Sequence, residues 1–581
     1  MSQSQVPAGE SFAAASAYAY PLLIKQLLVT PLRQAAAQEI VYRDAHRQSY
    51  RELGERIGRL VSALSNLGVT PGSTVAVADW DSHRYLESYF AVPMLGAVLM
   101  SANVRLSPDQ IAYTIDHCGA ETLLINAEFL PLLAQIRSRL PQLKRVVLMS
   151  DTPLDALPDA LPDGIDIEYE ALLARGNPAH VFPDFDENTR ATSFYTTGTT
   201  GMPKGVFFSH RQLVLHTLSV LGALASNPGG QNLHRGDVYM PITPMFHVHA
   251  WGMPYIATLL GVKQVYPGRY APDTLLRLKV SEGVTFSHCV PTILQMLLDA
   301  PGSAEHDLGG WKMIIGGSAL TPALARAALL RGIDVFTGYG MSETCPILAL
   351  GQLRPGDAGF EAHAARTAAR AAGTVATGDA GDPGAITDAE LARRARTGYP
   401  VPLADLRIVD PDLNDAPHDD LAQGELVARA PWLTQGYVHA PDASNHLWAG
   451  GWLHTQDIGR ADAGDSFQIT DRIKDVIKSG GEWISSLDME ALIVRHPAVA
   501  EVAVIAIPDA KWGERPLPLV VLRPGAECDA ATLIAHLRAC ADRGEISRFA
   551  VPDQIRFVEA LERTSVGKLN KKKLRDAVLR G

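Results

Sequence analysis

The feature that most constrains the fold is an alternation of short apolar runs with amphipathic segments, from about residue 42 to residue 340. The amphipathic segments, such as Tyr50–Leu67 and Pro108–His117, have the apolar spacing of helices. The apolar runs predict strands at Val75–Ala78, Thr122–Ile125, Arg145–Met149 and Met313–Ile315. Such alternation predicts parallel sheets covered by helices. Because ligands bind at the carboxyl ends of strands in these sheets, we expect a site there.

The chain is long enough for more than one domain. Its 581 residues exceed one ordinary hydrophobic core. Past Asp471 the pattern changes, and a compact unit of about 110 residues follows, with predicted strands at Val502–Ile507 and Leu519–Leu522 and a predicted helix at Ala530–Ala541. We therefore predict an α/β fold with a large N-terminal domain of helix-covered sheets, residues 1–471, and a small mobile C-terminal α+β domain, residues 472–581.

One segment differs from its surroundings in composition. Residues 356–388 are rich in Ala, Gly, Thr and Asp and contain few large apolar side chains. A segment of this kind buries little surface, so we predict a surface insertion or a mobile loop. Two roles remain open, a disordered spacer and an element that docks a partner.

Charge and cysteine content exclude several classes of protein. A formal net charge of −11 argues against a nucleic-acid binder, because contacts with phosphates need a basic surface. No uncharged apolar run reaches the roughly 20 residues of a membrane span, so we predict no integral membrane segment. The five cysteines are scattered and odd in number, and the chain does not open with a secretory signal. We therefore expect reduced thiols and a cytoplasmic protein.

The first chemical motif is a polar, glycine-rich tract at Tyr195–Gly205, with the sequence YTTGTTGMPKG. Glycines let backbone N–H groups approach an anion, hydroxyl groups add donors, and Lys204 adds a positive charge. The tract is not a Walker A loop, because the spacing of that motif is absent. It predicts a loop that binds a triphosphate. The alternative is an ordinary surface loop rich in Thr and Gly.

The second motif, Thr337–Thr344, directly follows a predicted strand at Ile333–Phe336. In a nucleotide pocket Tyr339 could stack on adenine, and Glu343 could bind magnesium, which prefers oxygen ligands. The turn at Gly316–Ser318 also follows a strand but is weak as a signal by itself. Taken alone, such a tract is an ordinary turn more often than a site.

Three further segments carry candidate residues. Asp457, in Gly451–Gly459, could bind both hydroxyls of a ribose, or it could be a cap or a solvated carboxylate. Lys568, in Arg563–Leu569, lies between a glycine and an apolar residue, and the run Lys571–Lys573 beyond it predicts a solvated helix face. The apolar and aromatic residues around His247 suit a hydrocarbon tail, although core packing would explain them too.

Together, in this order and at these distances, the motifs resemble the adenylate-forming superfamily of acyl-CoA synthetases, firefly luciferase and nonribosomal-peptide adenylation domains. The resemblance extends from about Leu23 to Arg575. It is strongest to the bacterial medium- and long-chain fatty acyl-CoA ligases, because Ile477–Ser485 (IKSGGEWIS) looks like their version of this stretch.

The resemblance implies a role for each matching residue. Thr196 and Glu343 match magnesium ligands, Lys568 the lysine that bridges the acyl carboxylate and the phosphate, His247 the lip of the acyl pocket, and Lys474 the hinge. Residues matching the phosphate loop are Thr197, Gly198, Thr199, Thr200, Gly201 and Lys204. Residues matching the nucleotide pocket are Gly317, Ser318, Gly338, Tyr339, Gly340, Met341, Ser342, Asp457 and Arg472. Residues on the face implied for coenzyme A are Lys478, Gly480, Gly481 and Trp483.

The implied activity is ATP-dependent joining of a medium- or long-chain fatty acid to coenzyme A, with ATP, Mg²⁺ and coenzyme A as cofactors or co-substrates. The acid is activated as acyl-AMP, and a thiol then takes the acyl group. Transfer to a carrier-protein phosphopantetheine remains an alternative, as does an inactive sensor of acyl-AMP or nucleotide. A homodimer is also left open, and the chain length of the acid is not predicted.

Overall fold

The structure is a computed structural model, and it describes residues 14, 16–152, 156, 161–196, 202–372, 385–479, 482–563 and 569–580. Several predicted site residues lie outside this part of the chain, namely Thr197, Gly198, Thr199, Thr200, Gly201, Gly480, Gly481 and Lys568. Trp483 is described in its backbone only.

Twenty-five strands occur among the described residues. The first fifteen are β1 (Glu39–Tyr42), β2 (His46–Ser49), β3 (Thr74–Ala78), β4 (Val98–Ser101), β5 (Ala120–Asn126), β6 (Arg145–Met149), β7 (Ile167–Glu168), β8 (Arg190–Tyr195), β9 (Gly205–Ser209), β10 (Val238–Pro241), β11 (Lys263–Tyr266), β12 (Phe286–Cys289), β13 (Trp311–Gly316), β14 (Ile333–Gly340) and β15 (Ile347–Leu350). The others are β16 (Tyr399–Pro400), β17 (Asp405–Val409), β18 (Gly424–Arg429), β19 (Leu453–Ala461), β20 (Phe467–Arg472), β21 (Ile477–Ser479), β22 (Glu482–Ile484), β23 (Val499–Asp509), β24 (Gly513–Leu522) and β25 (Arg556–Phe557).

The helices alternate with these strands over most of the chain. They are α1 (Val29–Gln34), α2 (Tyr50–Asn66), α3 (His83–Met94), α4 (Pro108–His117), α5 (Leu130–Ile136), α6 (Tyr169–Ala174), α7 (His210–Ser226), α8 (Val248–Trp251), α9 (Met253–Leu260), α10 (Pro272–Ser281), α11 (Pro291–Asp299), α12 (Pro322–Leu330), α13 (Phe360–Ala371), α14 (Asp388–Arg394), α15 (Pro441–Leu447), α16 (Ser486–Ile493), α17 (Ala530–Asp542) and α18 (Lys571–Arg580).

Two large sheets form the body of the N-terminal domain. One has seven strands in the order β7-β6-β5-β3-β4-β8-β9, and all neighbours are parallel except β8 and β9. The other has nine strands in the order β16-β15-β14-β13-β12-β10-β11-β1-β2, with a parallel centre running from β14 to β1. The predicted strands and helices of this region are confirmed, as is the parallel arrangement.

Helix α3 lies in the core between the two large sheets. All of its residues are buried, and it shares one apolar cluster with Val77 and Phe194 of the first sheet and with Ile314 and Phe336 of the second. A helix buried on every side has no need of a polar face. The side chain of Ser82 caps its first turn by accepting a hydrogen bond from the Tyr85 N–H.

Two smaller sheets follow. β17–β20 form a four-stranded antiparallel sheet, and β21–β25 form a sheet of their own at the C-terminus. Alternate residues of β23 enter different apolar clusters: Val502 and Val504 pack with α16 and α17, whereas Ala503 and Ile505 pack with Leu574 of α18. A small C-terminal α+β domain therefore follows the large one, as predicted. Among the described helices, none combines the length and the apolar composition needed to cross a bilayer.

The prediction for residues 356–388 is wrong over α13. This helix is packed rather than spacer-like: His363 is buried, and Arg366 pairs with the fully buried Glu390 of α14. Arg394 of α14 in turn donates to Asp334 of β14 at 2.7 Å. The prediction from composition failed because ion pairs, rather than large apolar side chains, hold this segment to the domain. Residues 373–384 of this segment lie outside the described part of the chain.

The prediction of a solvated face at Lys571–Lys573 is also wrong for one residue. Lys572 and Lys573 are exposed, but only 8% of Lys571 is exposed. Lys571 Nζ lies 2.7 Å from the carboxylate of Glu490 on α16, so its charge is paired inside the small domain.

Candidate active site

The nucleotide motifs meet at the carboxyl edge of the nine-stranded sheet. β13 and β14 are parallel neighbours, and their register sets Gly316 opposite Gly338. The turn Gly317–Ser318 therefore leaves β13 beside Tyr339 and Gly340, which continue β14 and pair with β15. Both motifs therefore lie at the carboxyl ends of the strands, where the sequence predicts a site.

Close packing explains the glycines at this edge. A Cβ at Gly316 would lie 2.9 Å from the indole of Trp251, and one at Gly338 would lie 2.6 Å from a methyl group of Ile314. A Cβ at Gly340 would collide with the carbonyl oxygen of Pro346. Side chains are excluded here, so the backbone itself forms the floor of the pocket.

The two described ends of the phosphate loop pair with each other. The Thr196 N–H donates to the Lys204 carbonyl at 2.9 Å, and the Lys204 N–H donates to the Thr196 hydroxyl at 3.2 Å. β8 ends and β9 begins at this pair, so the sheet fixes the base of the loop. The residues between Thr196 and Met202 lie outside the described part of the chain.

Tyr437 joins the phosphate loop to the second motif, and the sequence reasoning missed it. Its segment pairs with the start of β9: Tyr437 forms a β-bridge with Val206, and the Val438 N–H donates to the Gly205 carbonyl at 2.8 Å. The Tyr437 hydroxyl donates to Glu343 Oε1 at 2.6 Å, and Lys204 Nζ lies 4.8 Å from the centre of the Tyr437 ring. No pattern in the sequence singles out this tyrosine.

Glu343 is a buried carboxylate held close to positive charge. Only 6% of it is exposed, and burial raises its pKa, while the Tyr437 hydrogen bond and the charges of Lys204 and Arg472 act in the opposite direction. Oε1 carries the Tyr437 hydrogen bond, whereas no described group donates to Oε2.

A carboxylate and a threonine hydroxyl are the hard oxygen donors that magnesium prefers, so Glu343 and Thr196 fit that ion. Within the described residues, no group of three or more His, Cys, Asp or Glu side chains could hold a metal. A magnesium ion here would therefore also need oxygens from the nucleotide.

Asp457 lies at the same edge, on β19. The Tyr339 hydroxyl donates to Asp457 Oδ2 at 2.7 Å, and Arg472 Nε lies 3.2 Å from Oδ1. β19 and β20 set Asp457 directly opposite Arg472. The Asp457 carboxylate raises the pKa of Arg472, and burial together with Asp457 raises that of Tyr339. Three residues predicted for the nucleotide pocket are thus in direct contact.

The segment after His247 has an unusual backbone. Val248, His249, Ala250 and Trp251 all have positive φ, between 46° and 60°, which is costly for residues with a side chain. Val248 and Trp251 are nearly fully buried, and the Trp251 ring centre lies 5.1 Å from that of His288. An apolar wall therefore lies next to Gly316, beneath the nucleotide motif, while His247 itself stays half-buried.

Lys478, one of the residues implied for coenzyme A, is not brought to this edge. Lys478 is exposed on β21, where its N–H donates to Glu514 of the small domain. None of the described contacts joins Lys478 to Glu343, Lys204 or Asp457. Met341 and Ser342 are half-buried between Gly340 and Glu343, within the nucleotide edge.

Comparison with known proteins identifies the family of the chain. The AMP-binding enzyme family matches residues 29–438, and the AMP-binding enzyme C-terminal domain matches residues 488–568. The chain is 38% identical over 556 residues to a long-chain-fatty-acid–CoA ligase of Thermus thermophilus, covering 94% of each chain. It is 34% identical over 562 residues to a medium-chain-fatty-acid–CoA ligase of Ectopseudomonas oleovorans, covering 96% of each.

The fold is also found in solved structures. An anthranilate CoA ligase in complex with anthranoyl-AMP superposes with a TM-score of 0.79 at 23% identity, over 96% of this chain and 98% of that one. The sequence relatives cover nearly the whole chain, including both matched segments. The chain therefore belongs to the AMP-binding enzymes of the adenylate-forming superfamily and is an AMP-forming acyl-CoA synthetase.

Proposed function

We propose that the enzyme activates a medium- or long-chain fatty acid as acyl-AMP, with release of pyrophosphate, and then transfers the acyl group to coenzyme A. The observation that carries this proposal is the cluster of Lys204, Tyr437 and Glu343 at the same edge as Asp457 and Tyr339. It offers positive charge and a metal-binding carboxylate for the phosphates, and a second carboxylate for the ribose. The names of the two curated relatives support a fatty acid as the substrate.

The chemistry requires these residue types. The α-phosphorus is shielded by negative oxygens, so an attacking carboxylate must be held in line while that charge is neutralised. Thr196 and Glu343 would hold magnesium, which supplies charge neutralisation on the phosphates when it is bound. Lys204 adds a cation beside them, and Asp457 fixes the nucleoside through its ribose hydroxyls. The acyl-AMP is a mixed anhydride, and a thiol displaces AMP from it.

Lys568 is proposed to bridge the acyl carboxylate and the phosphate during the first step. It belongs to the small domain, whereas the phosphate loop belongs to the large one. A thiol must later reach the carbon that Lys568 covers, so we expect the small domain to rotate about Lys474 between the two steps. The boundary predicted at residues 471 and 472 lies between the two matched family segments and remains a prediction, as does the role of Lys478, Gly480, Gly481 and Trp483 in binding coenzyme A.

The acyl chain is proposed to lie against Val248, Trp251 and Met253, which are buried beside His247. Each methylene that enters an apolar pocket adds about 0.8 kcal/mol until the pocket is full. The kcat/KM should therefore rise by about fourfold for each added methylene and then level off at medium length or beyond. The cytoplasmic location and a homodimer remain predictions.

A panel of carboxylic acids from acetate to palmitate tests the proposal, with benzoate and anthranilate as aromatic controls. Pyrophosphate release measures adenylation, and mass spectrometry identifies the product after addition of coenzyme A or of a phosphopantetheinylated carrier protein. We expect the acyl-CoA thioester of a medium or long acid. Preference for acetate or an aromatic acid would refute the fatty-acid proposal. Acylation of the carrier alone would refute coenzyme A as the acceptor. If no acid gave pyrophosphate release, the protein would be a sensor rather than an enzyme.

A further inference from the structure

The start of α18 is anchored inside the small domain by one lysine. Lys571 Nζ donates to the Ser486 hydroxyl at 2.5 Å and lies 2.7 Å from Glu490 Oε1. Both partners belong to α16. Lys572, the next residue, is exposed, and within the described residues its ammonium group pairs with Asp576 of its own helix alone, at 3.7 Å. The two neighbouring lysines therefore differ in environment although they share one sequence run.

Two buried carboxylates depend on this ammonium group. Burial raises the pKa values of Glu490 and Asp471, and the charge of Lys571 opposes that rise in both. Asp471 is 2% exposed and belongs to β20, and its Oδ2 accepts the Ser486 N–H at 2.6 Å. Glu490 Oε1 also accepts the Val504 N–H of β23 at 2.7 Å. Loss of the lysine would leave two buried acids without their shared cation.

This cluster is linked to the nucleotide edge through β20. Asp471 and Arg472 are consecutive residues of that strand, so their side chains leave it on opposite sides. Asp471 contacts Ser486 and the charge of Lys571, whereas Arg472 contacts Asp457. A short run of contacts thus connects the carboxylate proposed to bind ribose with the first residue of α18.

The chain next to Lys571 is also fixed. Arg563 and Leu569 form an antiparallel bridge, and the Asn570 N–H donates to the Glu562 carbonyl at 2.8 Å. Leu569 packs with the buried Leu561 of the same apolar cluster. Residues 563 and 569 therefore flank, in the sequence, the segment that carries Lys568, and Lys571 lies two residues after Leu569.

We propose that Lys571 is a positioning residue for adenylation. It holds the start of α18 against α16 and β20, and so sets where the segment containing Lys568 stands relative to the ribose site. Lys571 does not itself touch the substrate. The inference rests on the proposed function, because it assumes that Lys568 acts in the first step.

The test compares Lys571→Met with Lys571→Arg and with the exposed control Lys572→Met. Misplacing a reacting group by about 1 Å can cost on the order of 100-fold in rate. We expect Lys571→Met to lower kcat for pyrophosphate release by about 100-fold while the KM for ATP and fatty acid stays within about twofold. Lys571→Arg should restore most of the rate, Lys572→Met should match the wild type, and thioester formation from supplied acyl-AMP should change little in all three.

A second comparison separates positioning from plain stability. In a Lys568→Ala background, Lys571→Met should add less than about threefold to the loss, because there is no lysine left to position. If Lys571→Met lowers the rate by the same factor in the Lys568→Ala background as in the wild type, or slows both half-reactions equally, the inference is wrong. Should Lys571→Met fail to fold, the double variant Lys571→Met with Glu490→Gln removes both charges of the pair and is judged by the same criteria. A wild-type enzyme that releases no pyrophosphate would instead refute the proposed function.

Discussion

Replacing Tyr437 with phenylalanine should move the acid limb of the pH–rate profile for adenylation to higher pH. The hydroxyl of Tyr437 donates to Glu343 Oε1 at 2.6 Å, and such a bond favours the ionised carboxylate. Burial already raises the pKa of Glu343, and loss of the hydrogen bond raises it further. Because only the ionised form can bind magnesium, activity is present above the pKa of Glu343 and is lost as the pH falls through it.

The size of the shift follows from the strength of the bond. A hydrogen bond to a charged group contributes about 1.5–3 kcal/mol. One pKa unit corresponds to about 1.4 kcal/mol, so the acid limb should move up by about 1–2 pH units. Little discount for solvent is needed, since only 6% of Glu343 is exposed. Well above the new limb, the variant should recover to within about threefold of the wild-type rate, because its other contacts are intact.

The assay is pyrophosphate release between pH 5.5 and 9.5, at one low and one saturating magnesium concentration. Magnesium binds the ionised carboxylate, so saturation should reduce the difference between variant and wild type. Tyr169→Phe is a matched control, because the Tyr169 hydroxyl also donates to a buried glutamate, Glu87, at 2.7 Å, and the other described partners of Glu87 are Gln48 and Arg56. The control should leave the acid limb in place.

Two results would refute the reasoning. One is a loss of rate in Tyr437→Phe by the same factor at every pH, which would show that the hydroxyl does not act through the ionisation of Glu343. The other is a shift of equal size in Tyr169→Phe, which would show that the limb reports general stability.

Three further predictions concern other residues. Asp457→Ala should raise the KM for ATP by about 10- to 100-fold, since it removes hydrogen bonds from a charged group to ribose; an unchanged KM in steady-state kinetics would contradict the ribose assignment. Lys474→Pro restricts φ at the proposed hinge and should spare pyrophosphate release while it cripples transfer to coenzyme A; wild-type rates in both half-reactions would remove support for rotation at this position. Gly340→Ala places a methyl group against the carbonyl of Pro346. Overpacking of this kind costs about 1–3 kcal/mol, and each kcal/mol lowers the thermal midpoint by about 1 °C in a domain of roughly 470 residues, so the midpoint should fall by about 1–3 °C; an unchanged calorimetric melt would contradict the packing argument.

The elements of the large domain could be predicted because their signal is local. The apolar periods of β3, β5, β6 and β13 fix strand identity without knowledge of their neighbours. The rule that ligands bind at the carboxyl ends of parallel strands then places Gly317 and Tyr339 at one edge of the sheet. Asp457 is far from both of them in the sequence. The sequence predicts the residue types at this edge and their order, whereas the register of β13 with β14 determines the geometry.

Tyr437 and Lys571 could not be predicted because their roles depend on tertiary contacts. Tyr437 acts only because its segment pairs with the start of β9, which aims its hydroxyl at Glu343. Lys571 looks like its exposed neighbours Lys572 and Lys573 until α16 is packed against it. Helix α13 was missed for a related reason, since composition measures apolar content and does not measure charges that find partners in the fold.

The facing glycines of β13 and β14 have a consequence for recombining this enzyme with its relatives. Gly316 would press against Trp251 if it carried a side chain, and Gly338 would press against Ile314. The two strands and the left-handed turn at Trp251 must therefore fit one another closely, although about 60 residues separate that turn from β13 and β14 lies still further along the chain. A chimera that takes the turn from one enzyme and the strands from another would retain every sequence motif. It would still disrupt the packing of the sheet edge that these motifs form. Acyl specificity should accordingly transfer between relatives only when β13, β14 and the turn at Trp251 are exchanged together.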